Sequence, residues 1–261
     1  TKNVAKRSGI LTKKIEVIPE WFNEHVLNKG SVTSLSEVDT EYNYLIISQL
    51  TAQQPEADRK NLIETLNWLF DHHSEDEDTG IILKTCLGRG SKKDKIETER
   101  LLKHIVSKNR KGLFPKLYLV HGNMTSKEIA GLYNNPKVKA FISATRGEGY
   151  GLPLVDAAAS GIPIVATNWS GHLEFLKNGK FVPIDYKMKN IPEVKVDERI
   201  FLKGFSWAQP ERESFFKGID SVRRDYSKYR KVAKDNIDYI TENFSKQNIK
   251  KMYDNIFEDI I

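Results

Sequence analysis

One short segment of the sequence is well suited to hold a charged ligand. Every second residue of 147–151 is glycine, and Pro153 follows closely. Alternating glycines let a backbone curl tightly and approach a ligand, and proline suits the first turn of a helix. Free amides at such a turn, together with the helix dipole, favour an anion. The segment therefore predicts a phosphate or pyrophosphate site, although the glycines alone leave a merely structural turn as an alternative.

Two carboxylates accompany these glycines. Glu148 lies within the loop, and Asp156 follows eight residues later in the predicted helix. An acid beside a pyrophosphate would repel it. The two acids are therefore expected to serve another purpose, such as accepting hydrogen bonds from sugar hydroxyls. The motif is neither a P-loop nor the dinucleotide G-x-G-x-x-G, because Leu152 stands where the last glycine of the latter belongs. The combination favours a ligand that carries both phosphate and sugar hydroxyls.

Short apolar runs alternate with amphipathic stretches from about residue 44 onward. Strands are predicted at 44–48, 80–84, 116–120, 138–143, 162–166 and 181–184, and helices near 60–72, 94–109, 126–134, 153–160 and 171–177. Runs that are apolar without strict alternation are typical of strands covered on both faces. The alternation predicts an α/β fold: a Rossmann-like parallel sheet with helices on both faces and right-handed crossovers.

The pattern is absent at the two ends of the chain. Residues 1–43 are predicted to be a linker or N-terminal extension containing a strand at 18–22. The Rossmann-like domain is predicted to cover 44–210, with an irregular stretch from 185 onward because of its prolines. Residues 211–261 show helical spacing with a break near Phe244, and predict a helical segment that packs on the domain.

The charge balance favours anionic partners but not nucleic acid. The net charge is +6, from 41 basic and 35 acidic residues, which favours ligands such as nucleotides. The basic residues are scattered among acids, so no nucleic-acid interface is expected. No run approaches the roughly 20 apolar residues of a transmembrane helix. With one cysteine in the chain, this is the basis for expecting a cytoplasmic protein.

The residues that most often bind metals do not cluster convincingly. Cys86 is the only cysteine, so it forms no internal disulfide and no cysteine zinc site; it is predicted to be a small buried residue on a strand. His72 and His73 precede the acidic turn 75–78. A histidine that interacts with the dipole at the helix C-terminus, and a solvated acidic turn, are favoured there over a metal site.

Residues 148–164 resemble the signature of retaining glycosyltransferases of the GT-B fold, in particular family 4, also called glycosyl transferases group 1. That motif reads E-G-[FY]-G-L-x-x-x-E-A-[ML]-A-x-G-x-P-V, and this chain reads E-G-Y-G-L-P-L-V-D-A-A-A-S-G-I-P-I. The loops at 121–133 and 167–176 are also similar, and the resemblance spans about 15–180. It implies that the chain supplies the second, donor-binding half of a two-domain GT-B enzyme.

The resemblance implies roles for individual residues. Glu148 would contact the transferred sugar and Lys60 the phosphates, as the catalytic pair. Asp156 would hold the ribose hydroxyls, although the family has the longer glutamate there. The other implied donor-site residues are Gly149, Tyr150, Gly151 and Leu152 around the diphosphate, Gly122, Asn123 and Met124 at the base, and His172 near the sugar. The alternatives are a solvated Lys60 and a surface His172.

One departure from the family concerns its second phosphate-binding cation. The usual Gly-Arg pair after the first strand is absent, and residues 48–55 form a longer loop there. Arg59 is the candidate replacement, on its adjacency to Lys60 alone.

The implied reaction is transfer of a sugar from a nucleoside diphosphate donor, of UDP or GDP type, to an unidentified acceptor. Retention at the anomeric carbon, no essential metal and no cofactor beyond the donor substrate are expected. Residues 1–43 are too few for a second α/β domain, so the chain is expected to bind nucleotide but to turn over poorly without an acceptor-binding domain. Apolar C-terminal helices would serve docking or self-association. A GT-B-type sugar-nucleotide epimerase and a non-catalytic nucleotide-sugar-binding module are the alternatives.

Overall fold

A six-stranded parallel sheet forms the centre of the molecule. The computed structural model describes residues 15–176 and 180–258. The strands are β1 (Tyr42–Ile47), β2 (Thr79–Lys84), β3 (Lys116–Val120), β4 (Val138–Ser143), β5 (Ile164–Thr167) and β6 (Val182–Ile184), in the order β3-β2-β1-β4-β5-β6. Every neighbouring pair is parallel. The predicted α/β, Rossmann-like class is confirmed, and the six strands predicted from residue 44 onward are present.

Helices cover both faces of this sheet. They are α1 (Leu62–His72), α2 (Lys92–Asn109), α3 (Ser126–Tyr133), α4 (Leu152–Ser160), α5 (Leu173–Leu176), α6 (Arg212–Arg224), α7 (Tyr226–Lys234), α8 (Ile237–Phe244) and α9 (Lys246–Glu258). Short 3-10 turns occupy Glu24–Leu27, Pro55–Ala57 and Glu193–Lys195. Of the helix predicted at 171–177, Lys177 lies outside the described residues. No helix in the described ranges is both long and apolar enough to span a membrane.

Strand β1 shows how one sheet supports two cores. Leu45 faces a core formed with α3, α4, α5 and α8. Its neighbours Tyr44 and Ile46 face the other core, formed with α1, α2 and α6. Because successive strand residues point to opposite faces, a strand buried on both sides must be apolar throughout.

The prediction of an irregular stretch at 185–210 is wrong. It contains an antiparallel hairpin of β7 (Tyr186–Asn190) and β8 (Ser206–Pro210). Pro192 lies beyond the end of β7, and Pro210 is the last residue of β8, so neither proline interrupts the pairing. The side chain of Trp207 is buried and fixes the hairpin against the domain.

Two smaller predictions are also wrong. Residues 18–22 form no strand; Phe22 inserts into the core and its amide donates to the Phe244 carbonyl at 3.2 Å. Tertiary contacts, not strand pairing, hold this segment. Cys86 lies beyond the end of β2 and is only half-buried, because the chain leaves the sheet after Lys84.

The C-terminal helices are present, and the predicted break lies at Ser245, which is extended between α8 and α9. Phe215, Ile219 and Val222 of α6 pack on one core, and Ile240 and Phe244 of α8 on the other. These helices therefore cover the sheet and its helices. The domain boundaries at 43 and 210 stay predictions.

Candidate functional site

A cleft opens where the order of the strands reverses. The carboxyl ends of β1 and β4 are neighbours there. The chain continues from β1 to β2 on one side and from β4 to β5 on the other side. Open α/β sheets bind ligands at this switch point. The walls of the cleft include Ser48, Lys60, Glu148, Gly151 and Pro153. The predicted glycine segment thus borders the position that the topology favours for a ligand.

The structure brings Lys60 and Glu148 together across this cleft. The Lys60 ammonium lies 2.6 and 2.8 Å from the two Glu148 carboxylate oxygens. Their side chains are 19% and 10% exposed, so the solvated alternative for Lys60 is wrong. Arg59 lies 3.5 Å from the same carboxylate and also donates to the Gly147 carbonyl. The site therefore combines two cations and one anion.

A buried acid places Lys60. One carboxylate oxygen of Asp58 accepts the Leu62 amide at 2.7 Å, and the other accepts the Lys60 amide at 3.1 Å and the Thr51 hydroxyl at 2.5 Å. Asn61 follows in the left-handed conformation, with φ of 54°. These contacts start α1 and turn Lys60 toward the cleft. The prediction missed Asp58; an acid four residues before a helical pattern was the available signal.

Arg146 anchors the loop that carries Arg59 and Lys60. Its buried guanidinium donates to the carbonyls of Pro55 at 2.7 Å and Asp58 at 2.6 Å, and to the Gln209 side chain at 2.9 Å. It also lies over the Trp207 ring, 5.2 Å from the centroid. One side chain therefore joins three segments that are distant in sequence, and the sequence analysis did not identify it.

The glycine loop is pinned to the turn that follows β5. The Glu148 amide donates to the Ser170 hydroxyl at 2.9 Å, and the Gly171 amide donates to the Glu148 carbonyl at 3.1 Å. A Cβ at Gly171 would lie 2.0 Å from the Gly149 carbonyl oxygen. Residue 171 must therefore be glycine for the two loops to approach this closely.

The start of α4 is arranged as an anion site would be. Gly151, with φ of 100°, is its N-cap residue, and no side chain caps its first amides. Gly151, Pro153 and Leu154 line the cleft, so the positive end of the helix dipole borders it. Tyr150 anchors the loop, because its hydroxyl donates to the Glu20 carbonyl at 2.8 Å. Leu152 is 52% exposed.

Asp156 lies in a second cleft, on the other side of the first turn of α4. The walls of this cleft include Trp21, His25, Ser126 and Leu152. One carboxylate oxygen accepts the Asn23 amide at 2.8 Å, and no other hydrogen bond of Asp156 is found within 15–176 and 180–258. Burial raises the pKa of Asp156 to about 6, against a smaller lowering by the Asn23 amide. Asp156 and Glu148 thus flank the same helix start from two clefts.

The turn Gly122–Asn123–Met124 follows β3 at the same edge of the sheet. The Lys84 ammonium, at the end of β2, donates to the Gly122 carbonyl at 2.7 Å. Asp94 fixes the neighbouring loop by accepting the Leu87 and Gly88 amides at 3.1 Å and the Gly90 amide at 2.7 Å. The predicted base-binding turn is therefore held by side chains that the prediction missed.

His172 is fully buried, so the alternative of a surface histidine is wrong. Its Nε2 lies 2.7 Å from the Thr167 carbonyl, whereas Nδ1 is buried without a partner. Burial lowers the pKa of His172. The predicted contact with a sugar hydroxyl stays a prediction.

The two histidines at the end of α1 make side-chain hydrogen bonds and ring contacts. His72 Nε2 lies 2.7 Å from the Asp220 carboxylate, and His73 Nδ1 lies 3.2 Å from Asp76, which Arg223 also contacts. Within the described part of the chain, no three His, Cys, Asp or Glu side chains are grouped to hold a metal.

The comparisons with known proteins give a family model that matches part of the chain and solved structures that share its fold. Residues 114–239 match the family model described as "Glycosyl transferases group 1". A comparison with curated proteins found no match.

Three solved structures illustrate the shared fold. A glycosyltransferase from Rickettsia africae ESF-5 superposes with a TM-score of 0.65 at 17% identity, over 99% of this chain and 62% of its own. The pneumococcal O-GlcNAc transferase GtfA, in complex with UDP and GlcNAc, gives 0.59 at 15% identity, over 99% and 43%. Anabaena Alr3699/HepE, in complex with UDP and glucose, gives 0.60 at 14% identity, over 98% and 60%. The chain therefore spans about half of the length of these relatives, shares the fold of GT-B glycosyltransferases, and carries a segment matching glycosyl transferases group 1.

Proposed function

We propose that this chain binds a nucleoside diphosphate sugar and transfers the sugar to an acceptor with retention, as the donor-binding part of a GT-B glycosyltransferase. The observation that carries the proposal is the Lys60–Glu148 pair at the switch point, beside the uncapped start of α4. The matched family segment includes this loop and helix.

The leaving diphosphate has a natural place at this pair. It would accept hydrogen bonds from Lys60, Arg59 and the amides at the start of α4. These groups carry positive charge before any ligand arrives. Such pre-placed charge stabilises a leaving anion without a reorganisation cost at the moment of reaction. The relatives whose structures contain UDP with a sugar support a diphosphate donor.

The two carboxylates would then bind the transferred sugar and the ribose of the donor. Glu148 lies within the loop at the switch point and would accept hydrogen bonds from hydroxyls of the transferred sugar. Asp156, in the adjacent cleft, would accept the ribose hydroxyls through its oxygen that Asn23 leaves free. The diphosphate would bridge the two clefts across the first turn of α4. Metal ions have no assigned part in this arrangement.

A thermal-shift series with UDP, GDP, ADP and their glucose or mannose conjugates tests donor binding. A ligand at 100 times its Kd that binds only the folded state adds about 2.7 kcal/mol. Stabilisation by the nucleotides of one base, to the same extent in the control variant Lys116→Ala, would support the donor site and name the base. No shift with any nucleotide would contradict it.

Product analysis separates transfer from the two alternatives. With the donor and candidate acceptors, a new glycoside of retained configuration supports the proposed reaction. Release of free epimerised sugar would instead identify an epimerase. Donor binding without any turnover, even after addition of an acceptor-binding domain, would identify a binding module.

A further inference from the structure

Ser170 combines a strained backbone with two hydrogen bonds to one residue of the site. Its φ is 93°, a region that glycine adopts freely and L-residues rarely enter. Among the described residues only Asn61, Ser170 and Glu198 share this property without being glycine. Asn61 adjoins Lys60 and Ser170 contacts Glu148, so two of the three adjoin or contact a residue of the cleft wall. Strained backbone commonly persists at functional sites.

The hydroxyl of Ser170 explains why glycine is not used there. It accepts the Glu148 amide at 2.9 Å and donates to the Glu148 carbonyl at 2.6 Å. The next amide, of Gly171, donates to the same carbonyl at 3.1 Å. Both backbone groups of Glu148 are thus satisfied by one two-residue turn. Glycine would relieve the strain but would lose two of these three bonds.

We infer that Ser170 is a positioning residue for the transferred sugar: it fixes the peptide of Glu148 so that the carboxylate stays at the cleft. The carboxylate also contacts Lys60 and Arg59. These two contacts alone would let the loop move together with the two long cationic side chains. The Ser170 clamp, meaning Ser170 and Gly171 on the Glu148 backbone, removes that freedom. This role rests on the proposed function, because it assigns Glu148 to the sugar part of the donor.

Two variants separate the hydroxyl from the strain. Ser170→Ala removes the hydroxyl and keeps a side chain at positive φ, whereas Ser170→Gly removes both. Glu198→Gly is the matched control, since it relieves the same kind of strain at φ 55° in a loop of the hairpin region. Glu198→Gly is expected to keep or raise the melting temperature. Ser170→Gly gains the same relief but loses two hydrogen bonds, so its melting temperature is expected to change little.

The decisive readout is selectivity between the donor and its nucleotide. Kd values are measured for UDP against UDP-glucose and for GDP against GDP-mannose. In both Ser170 variants the sugar nucleotide is expected to bind about fivefold more weakly, the effect of losing about one net hydrogen bond, while the free diphosphate changes by less than about twofold. Glu198→Gly is expected to change neither. A role in stability alone would not move this ratio.

Amide hydrogen exchange in the ligand-free chain tests the clamp independently of any ligand. Exchange at Glu148 should be about tenfold faster in both Ser170 variants and unchanged in Glu198→Gly. Unaltered exchange and an unaltered ratio of Kd values would overturn the inference. If the unaltered chain bound no nucleotide, the proposed function would fail and the sugar assignment with it, and exchange would still show whether the clamp exists.

Discussion

The two acids that flank the start of α4 are held in different ways. Glu148 has two cations at its carboxylate and three hydrogen bonds on its backbone. Asp156 has one backbone amide, from a segment more than a hundred residues away in sequence, and its charge is otherwise uncompensated. A buried carboxylate without a cation beside it is destabilised as an anion. Glu148 is held rigidly by its contacts, whereas the Asp156 anion is unfavourable in the folded chain.

Removing Lys60 should have the largest effect on binding. Lys60→Ala deletes the cation at 2.6 Å from Glu148 and leaves that carboxylate with Arg59 alone. We expect affinity for a nucleoside diphosphate to fall about 100-fold, as for truncation of one partner of a buried charge pair. Isothermal titration calorimetry checks this.

Lys116→Ala is the matched control for that measurement. Lys116 also lies 2.6 Å from an acid, Asp39, but begins β3 at the opposite end of the sheet and is exposed. Equal loss of affinity in both variants would contradict a specific role for Lys60.

Asp156→Asn should weaken binding by about 20-fold while stabilising the fold. The amide keeps the shape but accepts ribose hydroxyls less strongly than a carboxylate. Because burial raises the pKa of Asp156 to about 6, ionisation costs free energy in the folded state. The gain in the free energy of unfolding should be on the order of 2 kcal/mol at pH 8.

Chemical denaturation at several pH values checks the sign of that stability effect. A raised folded-state pKa favours the protonated form, so the wild type loses stability as the pH rises from about 4 through 6. The advantage of Asp156→Asn should vanish below about pH 4. Asp156→Glu, which restores the residue of the family motif, tests whether the shorter side chain loosens ribose binding.

Donor affinity of the unaltered chain should fall as the pH falls through about 6. Protonation of Asp156 would remove the anion proposed to accept hydrogen bonds from the ribose hydroxyls. Between pH 7.5 and 5 the ionised fraction falls about tenfold for a pKa near 6. A sugar nucleotide is the suitable probe, since a free terminal phosphate itself titrates near pH 6. The same slope in Asp156→Asn would assign the effect to another group.

Arg59→Gln should have the smallest effect, about threefold on diphosphate affinity. Arg59 lies 3.5 Å from Glu148 with a side chain 28% exposed, so solvent screens much of its charge. A loss as large as that of Lys60→Ala would show that Arg59 supplies the second phosphate-binding cation.

The sheet and the glycine segment could be predicted because their signals are local. Apolar runs gave the six strands, and the motif at 147–164 indicated where the cleft lies. The hairpin could not be recognised, since its anchor is the buried Trp207 against Arg146, 61 positions away in sequence. Asp58 and Ser170 were likewise missed, because their roles depend on partners brought together only by folding.

Arg146 has a consequence for how this protein can vary. It contacts the loop after β1 through the carbonyls of Pro55 and Asp58, and carbonyls are common to every amino acid. The anchor therefore recognises the path of that loop rather than its side chains. Substitutions across 52–57 should be tolerated in libraries and in natural drift, provided the path is kept. The position of the cleft cations would then persist while the loop sequence diverges from that of other chains with this fold.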